Sequence, residues 1–107
     1  MDTIEILKTA IEQRKPISFQ YNAADRAVGI RFGNPHAIFI ASTDNVNIHI
    51  WKTGGVSSDL TKPLPAWREY KIKHIIGIKI IEDQGTFELA DGYKPNSPMY
   101  KRAIARA

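Results

Sequence analysis

The residues best suited to chemistry in this 107-residue sequence lie in one segment, Trp67-Arg68-Glu69-Tyr70-Lys71-Ile72-Lys73-His74, which interleaves cations with aromatic side chains. Cations beside aromatic rings suit a ligand that carries phosphates and bases, because the cations take the anionic oxygens while the rings stack on the bases. Period-two parity puts Arg68 on one face with Tyr70 and Ile72. With those two directed inward, Arg68 stands at the start of its strand, near a rim, where a long side chain can reach out of the core. Lys71 and Lys73 point the other way. The competing reading of the same segment is an ordinary half-exposed strand with a solvated face.

Elsewhere the sequence offers little reactive chemistry. His36, His49 and His74 are far apart, and none has the i, i+4 partner that would place two imidazoles on one helix face for a metal. His36 follows Pro35 and reads as a surface or hydrogen-bonding histidine. No G-x-S-x-G, S-x-x-K or P-loop pattern occurs. Gly54-Gly55-Val56-Ser57-Ser58 is the nearest approach to a phosphate cradle, but a proline-rich stretch follows it instead of a helix whose N-terminus could hold an anion. Glu82-Asp83 precedes a glycine and reads as a strand-ending turn. The absence of cysteine excludes disulfides, thiolate zinc sites and thiol nucleophiles, and fits a reducing cytoplasm. No catalytic residue, metal site or cofactor is expected.

The elements that must position Arg68 follow from periodicity and turn chemistry. Ile4, Leu7 and Ile11 recur at helical spacing, Asp2 and Glu5 approximate a capping box, and Pro16 forces a stop, so the spacing predicts a helix over 3–14. Ile17, Phe19 and Tyr21 then alternate with polar residues. Val28, Ile30 and Phe32 alternate with Gly29 and Arg31, which predicts a second half-buried strand ending at a Gly33-Asn34-Pro35 turn. The apolar run 37–41, a tight turn at Asp44-Asn45 and the alternation Val46, Ile48, Ile50 predict a hairpin. Residues 54–66, rich in glycine, serine and proline, read as a long exposed, mobile loop.

Tyr70 and Ile72 predict the next strand, and Ile75 to Ile81 another that bends at Gly77. Thr86 to Leu89 is a possible last strand, and Ser97-Pro98 reads as the start of a short C-terminal helix carrying Met99, Ala103 and Ile104. The expected core comprises Ile17, Phe19, Ile48, Ile50, Tyr70 and Ile72. Length and composition, 43% hydrophobic and 24% charged, fit one folded domain. No apolar run approaches a membrane span, and the first residues lack the basic, then apolar, character of a secretory signal, so a soluble, unexported chain is expected. The net charge of +4 arises entirely in the second half: residues 1–59 hold six basic and six acidic side chains, residues 60–107 nine and five. A phosphate-binding surface has this asymmetry, and so does a merely solvated lysine-rich face.

The order of these pieces, a helix ending in AIEQRKPISFQYN, then GIRFGNP, a hairpin at Asp44-Asn45 and WREYKIKHI, resembles the WYL domain, a bacterial module named for a Trp-Tyr-Leu tripeptide. Arg68, Tyr70, Ile72, His74 and Ile75 fall on that family's Arg-x-Phe-x-Leu-x-Arg-Ile strand, with Tyr for Phe, Ile for Leu and His for the second Arg. The similarity covers roughly residues 4–82. Asn47-Ile48-His49 stands where the naming tripeptide would be, and the winged helix-turn-helix that usually precedes a WYL domain is not in this sequence. The resemblance implies an SH3-like or Sm-like, partly open barrel of bacterial or phage origin that binds an anionic ligand, in some members a nucleotide or single-stranded nucleic acid, in a regulatory or defence-related role.

The expectations are therefore a single mainly β domain: a helix over 3–14, an SH3-like or Sm-like barrel over 17–90 and a tail or short helix over 91–107. It is expected to be non-catalytic and cytoplasmic, and to bind a nucleotide or short single-stranded nucleic acid through Arg68, helped by Arg31, His49, Lys71 and His74. A protein partner and homodimerisation both remain open. The alternative function is a protein-interaction module docking through a barrel edge strand or the 54–66 loop.

Overall fold

The computed structural model describes residues 2–107. Helix α1 (Thr3–Gln13) begins where Asp2 Oδ1 accepts the Glu5 N–H at 2.9 Å, the capping contact expected of that pair. It ends at Arg14, which takes a left-handed conformation just ahead of Pro16. Its buried residues Leu7, Ala10 and Ile11 lie on the face predicted from their spacing and cover the sheet.

Six antiparallel strands follow: β1 (Ile17–Tyr21), β2 (Ile30–Ile40), β3 (Val46–Gly55), β4 (Ala66–Lys71), β5 (Ile75–Ile80) and β6 (Ala103–Arg106). The main path runs β4-β3-β2-β1-β5, and β6 pairs with β2. Strand β2 organises the bend. Its first residues pair with β1, its last with β6, and its register against β3 shifts between Phe32 and Gly33 and between Pro35 and Ala37. Such bulges increase twist and curl a sheet toward closure. A 3-10 turn at Ile72–His74 joins β4 to β5, the two ends of that path, and the Lys71 N–H reaches across to the Tyr21 hydroxyl at 3.1 Å. The result is a mainly β, partly open barrel capped by one helix.

Every residue expected in the core is buried: Ile17, Phe19, Ile48, Ile50, Tyr70 and Ile72, joined by Ile38, Ile75 and the helix face. The Asp44-Asn45 hairpin also forms, with the Asp44 N–H donating to the Ala41 carbonyl at 2.8 Å. The bend at Gly77 is present, at φ 62°.

Several local expectations are corrected. Gly33-Asn34-Pro35 is no turn, because β2 passes straight through it. A Cβ on Gly33 would overlap Ile50 Cγ2 and sit 2.9 Å from the Trp51 carbonyl oxygen, so this glycine serves a close approach of β2 and β3. The face of β2 is also reversed: Val28, Ile30 and Phe32 are exposed, while Arg31 and Gly33 point inward. His36, expected at a turn as a surface or hydrogen-bonding histidine, is the latter: it is fully buried within β2 and hydrogen-bonded through both ring nitrogens. Gly54 and Gly55 belong to β3 and Ala66 to β4, which shortens the 54–66 loop at both ends. Residues 86–89 form no strand. The C-terminal helix reduces to the 3-10 turn Pro98–Tyr100, with Ser97 capping it as expected, after which Ala103–Arg106 pairs with β2 as β6. Ile72 lies in the 3-10 turn, not in a strand.

Candidate anion-binding site

The reversed face of β2 places a guanidinium inside the barrel mouth. Arg31 is 3% exposed and lies one step along β2 from the core-facing Gly33. Its Nη2 donates to the Ala27 carbonyl at 2.9 Å and to Ser58 Oγ at 3.3 Å, while its Nε has no partner among the described residues. The guanidinium carbon lies 5.8 Å from the Tyr21 ring centre and 5.7 Å from that of Tyr70, within cation–π range.

Strand β3 adds an ammonium. Lys52 continues the inward series Ile48, Ile50 and is fully buried opposite Gly33. Its Nζ donates to the Val56 carbonyl and, at 2.7 Å, to Ser57 Oγ. Burial, then the neighbouring charges of Arg31 and Arg68, pull the Lys52 pKa down from its ordinary value to about 8. Strand β4 adds Arg68 directly across from Ile50. Its Nη1 donates to the Trp67 carbonyl at 2.9 Å, and its Nη2 is buried with no partner among the described residues.

Three cations from three consecutive strands thus line one cavity of about 120 Å³, with Arg26, Lys62 and the rings of Tyr21 and Tyr70 around it. Two carboxylates also line it, and neither forms an ion pair with the three among the described residues. Glu69 turns to His49 Nε2 at 2.7 Å and to Asn47 Nδ2 at 2.6 Å. Asp59 accepts from Thr61, first through its hydroxyl and then its backbone N–H; these bonds, with Lys62 and Arg68 nearby, hold its carboxyl below the usual range. Clustered like charges with buried, unmatched donors are costly unless an anion completes them, and charge-assisted hydrogen bonds from guanidinium and ammonium groups are the strong kind.

The structure brings Arg68 and Arg31 together and places the other expected site residues elsewhere. His49 lies on the outer face of β3, its Nδ1 2.7 Å from the Tyr100 hydroxyl, in a separate groove of about 430 Å³ walled by Trp67, Tyr93 and Tyr100. The two hollows share Arg68 and Glu69 as a dividing wall. The series Glu69, His49, Tyr100 lines up an acid, an imidazole and a hydroxyl; burial, with Tyr93 and Glu69 nearby, pushes the Tyr100 phenol up to about 12. Lys71 is exposed and contributes only its backbone N–H to Tyr21. His74 packs edge-on against Tyr21 at 5.6 Å, outside the cavity lining.

Sequence reasoning missed Lys52, and it set Ser57 and Ser58 aside: the Gly54–Ser58 stretch is the nearest approach to a phosphate cradle but reads as a mobile loop. The signal for Lys52 was present, since it extends the inward parity of Val46, Ile48 and Ile50 by one step. Among the described residues no three His, Asp or Glu side chains converge as a metal site requires, and no helix is long and apolar enough to cross a membrane. No family model, curated protein or solved structure matches this chain.

Proposed function

We propose that this chain is a non-catalytic, WYL-like ligand-binding module that holds a nucleotide or short single-stranded nucleic acid by its phosphates, in a regulatory or defence-related role in the cytoplasm. One observation carries the reading: Arg31, Lys52 and Arg68 converge on one cavity with buried donors left unmatched and no carboxylate paired to them. An anion supplies what that arrangement lacks. The aromatic groove behind Arg68, with Trp67 and Tyr93 in its walls, gives bases a surface to stack on beside the phosphate site.

The test is a salt-titrated binding assay with a single-stranded oligonucleotide. Affinity should fall steeply with salt, and Arg68→Ala should lower both the affinity and the salt slope, the latter by about one counterion unit, with an unchanged circular dichroism spectrum. A folded Arg68→Ala protein with wild-type affinity and slope would overturn the reading. The second reading, a protein-interaction module, is favoured by the exposed apolar residues Ile30, Phe32 and Ile76 on the outer sheet face and Val28 just ahead of β2. Binding through that face would weaken little with salt.

A further inference from the structure

We propose that the cavity between Arg31, Lys52 and Arg68 is a socket for a terminal phosphomonoester, as found on a mononucleotide or the phosphorylated end of an oligonucleotide, and that it rejects phosphodiesters inside a strand. This rests on the phosphate-binding reading above and narrows its ligand.

Depth is the first argument. Lys52 is fully buried, Arg31 is 3% exposed, and the free Nη2 of Arg68 is buried as well. These groups can bond only to an atom that leaves solvent and enters the barrel mouth. A phosphodiester carries chain on two of its oxygens, so it can enter such a hollow only by dragging both flanking sugars with it. A phosphomonoester presents three free oxygens on one stem.

Size gives the second argument. Cavities that bury a whole drug-sized ligand run to about 300–1,000 Å³, whereas this one measures about 120 Å³. It admits a phosphoryl head and leaves the nucleoside outside, beside the aromatic rings of the mouth and the neighbouring groove.

Charge supplies the third. A phosphomonoester carries about −1.5 to −2 near neutral pH, against −1 for a diester, and only the former approaches the charge of the three cations. The serine hydroxyls on Lys52 and Arg31 now act as acceptors. A hydroxyl can also donate, so Ser58, which lines the cavity, can turn toward a phosphate oxygen without leaving the wall.

The experiment measures fluorescence anisotropy with base-labelled oligothymidylates of one length bearing a 5′-phosphate, a 5′-hydroxyl or a closed circular backbone, with thymidine 5′-monophosphate and thymidine as competitors. The phosphorylated strand should bind on the order of tenfold tighter than the other two, and only the monophosphate should compete. Lys52→Met should reduce that preference to within about twofold; Arg68→Gln, at the rim, provides the same readout if Lys52→Met does not fold. Thymidine monophosphate binding as tightly as the phosphorylated strand identifies a mononucleotide ligand, and tighter binding of the strand identifies a strand end; either supports the socket. Equal binding of the circular and phosphorylated strands overturns the socket while leaving phosphate binding in place. No binding by any probe overturns both.

Discussion

Arg31 Nη2 donates to Ser58 Oγ at 3.3 Å, and the same oxygen accepts the Ala27 N–H at 2.9 Å. The first part of the 56–65 connection is thus tied to a buried cation of the barrel instead of hanging free. Beyond Ser58 the chain is open to solvent, with Leu60 89% exposed. Chymotrypsin should therefore cut first after Leu60. Ser58→Ala should speed that cut by releasing the tether, at a cost of about 1 kcal/mol in global stability. Unchanged cleavage in the variant would show that Ser58 does not restrain the loop.

Anion affinity should depend on Lys52 ionisation. With its pKa near 8 in the free protein, binding an anion must favour the protonated form. Affinity for a nucleoside monophosphate, which is already dianionic there, should fall by up to about tenfold per pH unit above pH 8. Isothermal titration across pH 7 to 9.5 checks this, and Lys52→Met should flatten the dependence. The same shift sets a stability trend. Between pH 8 and the ordinary lysine value the unfolded chain binds more protons than the folded one, so the Lys52 contribution to stability improves as pH rises through that window. Wild type should therefore gain stability relative to Lys52→Met as pH rises over the same range.

His36 should make the fold acid-sensitive. Its Nδ1–H donates to the Asn34 carbonyl at 2.8 Å and its Nε2 accepts the Ala90 N–H at 3.1 Å, so the neutral ring satisfies both partners. Burial, and more weakly Arg14, lower its pKa, while the Asn34 bond acts in the opposite sense. A lowered histidine pKa gives stability that is fully present above about 6.5 and lost as pH falls below it, because the unfolded chain then takes up the proton first. Urea melts at pH 5 and pH 7 should show the loss, and His36→Gln, which cannot titrate, should show less of it. An equal pH dependence in the variant would remove His36 as its source.

Phe19 packs edge-on against Tyr70 at 5.2 Å and is 1% exposed. Phe19→Ala should cost about 3–5 kcal/mol by denaturant unfolding, and should loosen the Tyr70 ring that stands beside Arg31. A small change in the unfolding midpoint would place the centre of the core elsewhere.

Much of the fold was legible in local pattern. Asp2 and Pro16 bound the helix, Ile17 and Phe19, and Ile48 and Ile50, mark inward faces, Asp44-Asn45 marks a turn, and Arg68 follows Tyr70 by parity. These depend on backbone geometry and turn chemistry within a few residues, which a short window contains. Tertiary structure decided the rest. Alternation in β2 divides two faces but does not say which one is inside; an apolar triad alternating with glycine and arginine reads as inward, yet Ile50 needs the empty space at Gly33, and that turns Arg31 into the barrel. The last strand was hidden because Ala103–Arg106 has no signal of its own until β2 offers an edge. At Lys52 two local rules conflict: parity with Ile48 and Ile50 points it inward, while a charge on its own avoids burial. Only the turn out of β3, which brings the Val56 carbonyl and Ser57 Oγ back onto the ammonium, makes its buried place intelligible, since the cost of burying a charge depends on the partners the folded chain supplies; the two arginines, carried in on other strands, add to that cost.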